Sequence, residues 1–215
     1  MKTAITLSAV ILFLFFLSGR ANASAFPLLG GSLNLNMIIN ESSMTLRESA
    51  DSIYLGTLDG KMYPGIGAEA SLFYSIYPGL KAGPHFIFNY HGAKSTWHYF
   101  DIYQTSLGGI IDFNINDSNS VMAFVDYNLG WFSAEQTIAT PAGSPSPAGS
   151  FSGGMPGLMM GVKTRTKITE NIGLGIYYSI GMLTLTGIKY KNAANQNNWM
   201  NAEINYSQAG VTIYF

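Results

Sequence analysis

Near the middle of the sequence lie histidines and a serine, residue types that a hydrolase would need. His91 and His98 flank a segment that contains Ser95, and Asp101 follows shortly afterwards. A serine nucleophile requires a histidine base within hydrogen-bond reach and an acid that orients that histidine. Short spacing does not establish that reach. We therefore interpret these residues as part of a solvated loop and predict no catalytic residue.

Binding of a metal ion or a cofactor has even less support in the sequence than a hydrolase site. His85, His91 and His98 do not have the spacing of a zinc-binding loop or helix, and the chain has no cysteine to supply a thiolate ligand. The alternation of the segment around them sends His85 and His91 to its inner, polar face. We predict neither a metal site nor a bound cofactor.

A larger set of ionisable side chains shares one property. Each lies on the polar side of a stretch in which polar and apolar residues alternate, so all of them would lie on one face of a sheet. If that face encloses an interior, the charges must be paired, because an unpaired buried charge is very costly. The set predicts a lumen charge network of Glu69, Lys81, His85, Asp112, Asp126, Lys163, Arg165 and Lys167. Counting residues from the predicted short turns puts Lys81, Asp112 and Arg165 at comparable depth, with Glu69 and His85 further from those turns.

The alternation itself indicates the elements that position these charges. Leu33, Leu35 and Met37 alternate with Asn34 and Asn36, and seven later segments repeat the pattern. Bulky apolar residues occupy one face, while the other holds glycine, serine, asparagine and a few charges. A soluble β-sandwich, the less favoured alternative, would show the reverse. We predict an all-β, eight-stranded antiparallel up-and-down transmembrane β-barrel.

The first residues predict export. Lys2 precedes the apolar run Ile5–Leu17, and Ala21-Asn22-Ala23 has the small residues of a signal peptidase site. The run is too short for a spanning helix, so a retained anchor is less favoured. We expect residues 1–23 to be a cleaved signal peptide and residues 24–215 to form the barrel domain. Cleavage would leave nine basic and twelve acidic residues, a net charge of −3, which excludes a polybasic nucleic-acid surface.

The predicted connections differ in length, and this difference gives an orientation. Short turns face the periplasm in such barrels and long loops face outside, so both chain termini would be periplasmic. We expect Asp59-Gly60 to form a hairpin turn and the segment Thr140–Gly157 to be flexible. The short turns are Pro78-Gly79, Asn116-Asp117-Ser118-Asn119 and Thr169-Glu170-Asn171, and the longest connections are Glu41–Met62 and Ser133–Gly154.

The segment Ala209-Gly210-Val211-Thr212-Ile213-Tyr214-Phe215 resembles the terminal strand of bacterial outer-membrane proteins. With the other alternating segments, the chain resembles small barrels of the OmpA/OmpX type. The resemblance implies a location in the bacterial outer membrane, contact with its lipid and lipopolysaccharide, and a monomer. It also implies that Ala209, Val211, Ile213 and Phe215 form a signal read by the barrel-assembly machinery. It implies no particular activity, because this fold hosts unrelated functions.

Three functions remain open at this point. The favoured one is a structural or surface-interaction role through the extracellular loops, with an ion-paired plug in the lumen and an unknown surface ligand. The second is a narrow conduit for ions or small apolar molecules, which a wall gap at Pro84 would serve if that proline is more than a tolerated bulge. The third is a lipid A-modifying enzyme at the rim.

Overall fold

The fold consists of β-strands. A computed structural model describes residues 29–39, 42–50, 53–95, 98–136, 146–147, 151–191 and 197–215. Residues 1–23, where the sequence predicts a signal peptide, lie outside this range, so that expectation stays a prediction. The part of the chain so described contains no helix that is long and apolar enough to cross a membrane. The strands are β1 (Leu29–Ile38), β2 (Ser42–Ala50), β3 (Ile53–Tyr77), β4 (Leu80–Ser95), β5 (His98–Asn114), β6 (Asn119–Gln136), β7 (Ser146–Pro147), β8 (Phe151–Lys167), β9 (Gly173–Lys191) and β10 (Asn197–Tyr214).

The strands close into a ring with eight positions. Each of β3, β4, β5, β6, β8, β9 and β10 pairs antiparallel with the next, and β1 closes the ring between β10 and β3. Beyond Ile38, β2 takes over the position of β1 and also pairs with both β10 and β3. The two-residue β7 only borders β9. The predicted all-β, eight-stranded antiparallel barrel is confirmed.

Three short connections lie at one end of the ring, which we call the turn end. They join β3 to β4, β5 to β6 and β8 to β9. Gly79 has a φ of 83° in the first, a conformation that glycine adopts without steric cost. In the second, Asn116 Oδ1 accepts hydrogen bonds from the backbone N–H groups of Ser118 and Asn119, each at 2.9 Å. The opposite end is called the loop end.

The strands extend further toward the loop end than the sequence predicts. Glu41–Met62 and Ser133–Gly154 were expected to be long loops, but β2 and β3 pair through the first, while β6 and β8 enter the second from its two sides. Asp59 and Gly60 are inside this ladder, opposite Thr45 and Met44, so the predicted turn there is wrong. Part of the expected flexible segment Thr140–Gly157 is likewise strand β8. Pairing continues because backbone hydrogen bonding does not require apolar side chains.

The outer surface carries a broad apolar belt. Its upper edge toward the loop end is a row of aromatic residues, in which Tyr90 is opposite Tyr103 and Tyr103 is opposite Trp131. On β5 the belt runs from Tyr103 to Phe113, about 34 Å along the strand and, at the usual tilt, about 25 Å in height. Among its exposed members are Leu35, Met37, Ile66, Leu72, Leu107, Ile111, Val125, Leu129, Leu158, Met160, Val162, Ile176, Ile180 and Met182.

The inner face is more apolar than the alternation indicates. A buried cluster includes Ile102, Phe132, Met155, Leu183 and Leu185. The expectation of an interior made only of small, polar and charged residues is therefore wrong. On β4 to β6 the most loop-ward rows have Ala93, Phe100 and Ala134 inside together with His98, and they have Lys94 and Glu135 outside beside the exposed Tyr99.

The ladder between β3 and β4 skips Leu72 and Phe73, opposite Pro84 and Gly83, but the two strands stay in register there. The register of β3 against β4 is the same on both sides of Pro84, with Ser71 opposite His85 and Tyr74 opposite Ala82. The predicted bulge is therefore absent there. A Cβ placed on the neighbouring Gly83 would lie 1.8 Å from the carbonyl oxygen of Leu72, so the two strands remain in close contact. This closeness removes the structural basis for a lateral gap at Pro84.

The belt yields a test of its contact with hydrocarbon. Leu107 lies near its middle and is 56% exposed. We expect Leu107→Arg to lower the free energy of unfolding in lipid vesicles by about 2–4 kcal/mol, against about 0–1 kcal/mol for Ser152→Arg on the outer face nearer the loop end. Urea titration of the vesicle-embedded protein measures both. Equal effects would contradict contact with hydrocarbon at Leu107.

Candidate functional site

Four ionisable side chains meet inside the barrel, and we call them the central cluster: Glu69, His85, Asp126 and Lys163. They come from β3, β4, β6 and β8, and all four residues are at most 2% exposed. Each occupies the inward parity of its strand, flanked by outward neighbours such as Ala68 and Ala70. The alternation therefore brings charges from half of the ring into one place.

Direct contacts link the whole central cluster. Lys163 Nζ lies 2.5 Å from Glu69 Oε1, and His85 Nε2 lies 3.0 Å from the same oxygen. On its other side, His85 Nδ1 lies 2.8 Å from Asp126 Oδ2. The imidazolium form of His85 donates to both carboxylates, and the cluster then has two positive and two negative charges.

Neutral groups complete the shell around Glu69. The side-chain amides of Asn34 and Asn36 donate to its two carboxylate oxygens, at 3.1 and 3.2 Å. Thr212 Oγ1 donates in turn to Asn36 Oδ1 at 2.8 Å. The ring of Phe124 lies beside the cations, with its centroid 4.7 Å from Lys163 Nζ. Both oxygens of this buried carboxylate are therefore satisfied.

Gly108 allows the contact between His85 and Asp126. It is on β5, opposite His85 of β4 on one side and Asp126 of β6 on the other. A Cβ at this position would lie 2.4 Å from Asp126 Oδ1 and 2.1 Å from the carbonyl oxygen of Val125. Only a glycine lets the histidine and the aspartate meet across the intervening strand.

The remaining predicted charges lie nearer the turn end. Arg165 Nη2 donates to Asp112 Oδ2 at 3.1 Å, and the Arg165 guanidinium lies 5.9 Å from the centroid of the Tyr214 ring. Lys81 and Lys167 do not join the central cluster. They line a polar vestibule of about 410 Å³ that opens at the turn end. The eight residues of the predicted network thus divide into a buried cluster, a part-buried pair and two cations at a mouth.

A neutral polar layer lies on the loop-end side of the central cluster, outside the set of residues predicted from the sequence to form a site. Gln208 Nε2 lies 3.2 Å from Gln104 Oε1 and 2.9 Å from His91 Nε2. Asn89 Nδ2 donates to the same Gln104 oxygen at 3.2 Å. Parity already placed these residues inside, but uncharged amides carry no signal that they meet.

Two of the contacts described above, one in the central cluster and one in the polar layer, cross the full width of the lumen. β3 and β8 are four positions apart in the ring of eight, and so are β5 and β10. Glu69–Lys163 therefore joins diametrically opposite strands, and Gln104–Gln208 joins another such pair. A cavity between these levels, lined by Glu69, Asn89, Lys163 and Gln208 among others, has a volume of about 10 Å³. That is room for about one water molecule.

Among the described side chains, the residues of the hydrolase hypothesis do not come together. His98 is 1% exposed and lies inside the barrel, so the expectation of a solvated loop histidine is wrong for it. His91 is also 1% exposed and lies in the lumen, as its strand parity predicts, and not in a solvated loop. Asp101 is on the outer face, where its Oδ1 accepts a hydrogen bond from the Tyr90 hydroxyl at 2.7 Å. The barrel wall thus separates the candidate bases from the candidate acid.

Comparisons with known proteins concern the fold. No family model matches the sequence, and no curated protein matches it. Among solved structures, the outer-membrane protease OmpT from Escherichia coli has a TM-score of 0.50 at 7% identity, with 86% of this chain and 97% of that chain covered. Ail, the attachment invasion locus protein of Yersinia pestis, has a TM-score of 0.42 at 12% identity, with 84% and 98% covered. OprG from Pseudomonas aeruginosa has a TM-score of 0.43 at 8% identity, with 86% and 96% covered.

The chain has the fold of a small outer-membrane β-barrel. The closed ring of eight positions and the apolar outer belt carry this conclusion, because identities this low speak only to fold. In this barrel Ala209, Val211, Ile213 and Phe215 lie on the outer face of β10 and its end. Their role as an assembly signal stays a prediction.

The central cluster yields a stability prediction. Glu69→Ala removes the carboxylate that pairs with buried Lys163, and we expect it to lower the free energy of unfolding by about 3–5 kcal/mol. The double variant Glu69→Gln/Lys163→Met removes both charges and is expected to recover most of that loss. Urea titration in lipid vesicles measures it. The control Glu170→Gln, at the exposed turn end, should change stability by less than about 0.5 kcal/mol. A Glu69→Ala effect as small as that of the control would disprove the pairing.

Proposed function

We propose that this protein is an integral barrel of the bacterial outer membrane whose lumen does not conduct, and that it acts at the cell surface through its loop end. The lumen serves as a structural core. The interaction role belongs to the extended strands and to the connections between them.

The observation that carries the proposal is the pair of contacts across the lumen. Glu69–Lys163 and Gln104–Gln208 each join opposite walls, and they do so along two different diameters of the ring. An ion that follows the barrel axis would have to separate both. Eight-stranded barrels are also just wide enough for side chains to fill their interior.

The outer surface supports the membrane location. An apolar band about 25 Å high matches the hydrocarbon region that such barrels span, and aromatic residues at its edge match the headgroup level. Tyr90, Tyr99 and Trp131 are exposed toward the loop end, and Tyr74 and Phe113 are exposed toward the turn end. The short connections at the turn end favour a periplasmic position for that end.

The loop end supports the surface role. The β2–β3 hairpin pairs from Ser42–Met62 to Ala50–Ile53, beyond the aromatic row of the belt. A paired hairpin holds its outer residues in a defined position. Binding to a pre-ordered segment costs less conformational entropy than binding that must first order a flexible loop.

Conductance tests the closed lumen. We expect the purified protein in a planar lipid bilayer to give no steady single-channel current, because the two cross-lumen contacts occupy the axis. A large-pore porin in the same bilayer provides the positive control. Steady unitary currents from the purified protein would overturn the proposal in favour of an ion path.

Cysteine labelling tests the orientation. Because the chain has no cysteine, a single introduced thiol is unique. We expect a membrane-impermeant maleimide to label Thr57→Cys in the hairpin on intact cells. Ser118→Cys at the turn end should be labelled only after the outer membrane is permeabilised. The reverse pattern would place the hairpin in the periplasm and end the surface role.

A further inference from the structure

The vestibule at the turn end is lined by two lysines that have no carboxylate partner among the described residues. Lys81 is near the start of β4 and Lys167 is at the end of β8. The ion pairs in the described part of the chain are those of the central cluster and the pair Arg165–Asp112. Neither lysine ammonium therefore lies within 4 Å of a described carboxylate oxygen.

The aspartates and glutamates near these lysines are all described. Asp112 is the partner of Lys81 on β5, but it is buried and forms the pair with arginine already noted. Asp117 and Glu170 line the vestibule from the two exposed turns. Residues 1–28 contain no aspartate or glutamate, and the other undescribed segments connect strand ends that lie at the loop end.

The cations reach the vestibule from different sides. β4 and β8 are three positions apart in the ring of eight, so their turn-end residues lie nearly opposite each other across the mouth. Arg165 lines the vestibule on the same strand as Lys167. Its Nη2 donates to Asp112, but its side chain is 28% exposed and a guanidinium has five N–H donors in all. A molecule in the vestibule would therefore meet positive charge on two sides.

Amide groups add neutral donors to this lining. Asn116 Oδ1 accepts hydrogen bonds from the backbone N–H groups of Ser118 and Asn119, and a third from Asn119 Nδ2 at 3.1 Å. Because its oxygen is occupied in this way, the group that Asn116 can offer to a ligand is its Nδ2 donor. Asn114 and Asn171 line the vestibule as well. Cations and amide donors together suit a ligand that presents negatively charged oxygens.

A buried hydroxyl beside the vestibule indicates that a polar molecule enters it. Ser120 is 2% exposed on β6, opposite Asn114 on one side and Arg165 on the other. Its Oγ has no hydrogen-bond partner within the described part of the chain. Buried hydroxyls are normally satisfied by protein, water or ligand. The inner part of the vestibule therefore has a polar group in reserve for what binds there.

The size of the vestibule limits the ligand. Its volume of about 410 Å³ lies in the range of pockets that hold small organic molecules, roughly 300–1,000 Å³. A molecule with one acidic group would contact the cations of one side. A molecule with an acidic group at each end can contact Lys81 and Lys167 at once.

We propose that the vestibule binds a small organic anion with two separate acidic groups, of the dicarboxylate type, through Lys81 on one side and Lys167 with Arg165 on the other. The assignment goes beyond the proposed function, because it concerns the opposite end of the barrel. In the proposed orientation the vestibule would open into the periplasm, but binding itself does not depend on that orientation.

An NMR titration of the folded protein in micelles of an uncharged detergent, at low ionic strength, tests the site. Succinate is the probe, and acetate and inorganic phosphate are the comparison ligands. We expect succinate to shift the backbone amide signals of Asn116 and Gly173 at the turn end and to leave that of Gly92, toward the loop end, unchanged. Acetate and phosphate should bind about fivefold more weakly, because each has a single acidic group and so contacts one side.

Variants assign the binding to the two lysines. Lys81→Gln and Lys167→Gln should each weaken succinate binding about fivefold, the upper range for an ion pair open to water. Lys81→Arg/Lys167→Arg keeps both charges and should retain binding. Lys94→Gln removes the same charge at the loop end and should leave affinity unchanged. Glu170→Gln removes a carboxylate from the lining and should strengthen binding about twofold. Each variant should keep the folded gel mobility of the barrel.

Several results would overturn the assignment. They are unshifted turn-end signals, an affinity for acetate or inorganic phosphate equal to that for succinate, and unchanged affinity in the double variant Lys81→Gln/Lys167→Gln. Weaker binding by Glu170→Gln would do the same. The titration uses purified protein and reads neither conductance nor labelling on cells. Failure of this proposal is therefore distinguishable from failure of the proposed function.

Discussion

The negative charge of Glu69 must be neutralised from within the barrel, since lipid surrounds the wall at that level and the lumen around it is filled. Burying an isolated carboxylate is prohibitively costly, so partners must come from other strands. Asn34 and Asn36 reach it from β1, His85 from β4 and Lys163 from β8. One charge thereby fixes the relative positions of four strands. A slip of β3 by one residue would turn Glu69 toward lipid, so the same contacts that fill the lumen also specify the register.

Because side chains fill the lumen, the proposed function lies at the loop end of the barrel and not in transport through it. A charged contact crosses the barrel along one diameter and an amide contact crosses along the other. The charged contact is strong but demands a complete shell of partners, whereas the amide contact is neutral and tolerates a shared acceptor at Gln104. A cavity of about 10 Å³ lies between them. Such an interior suits a scaffold, and for this reason the proposed function assigns contact with a partner to the loop end.

The alternation in the sequence predicts which face each side chain takes, and counting residues from the short turns gives the relative height of some of them, but neither predicts which residues meet across the ring. Inward parity was correct for all four members of the central cluster. It could not show that Lys163 meets Glu69 from the opposite wall, because strand tilt and stagger decide which residues share a level. Counting from the turns does separate Lys81, Asp112 and Arg165 from Glu69 and His85, and Lys81 indeed lies opposite Asp112, near the mouth at the turn end that it lines with Lys167. At Lys61 parity itself fails, since one bulge reverses the faces of β3 and is invisible in the residue pattern.

In the loop-end part of β4 to β6 the charged side chains lie on the outer face and large apolar side chains on the inner face, the reverse of the arrangement in the belt. Beyond the aromatic row, β4 to β6 present Lys94, Asp101 and Glu135 outside, while Phe100 and Phe132 are buried inside. Water on the outside removes the gain from apolar contact with lipid. The stabilising burial must therefore occur within, at about 1.5–3 kcal/mol for each large side chain. This internal core lets the paired strands continue beyond the belt. The β2–β3 hairpin is then an extension of the wall itself, so the proposed surface role would use a segment that is held in place by strand pairing.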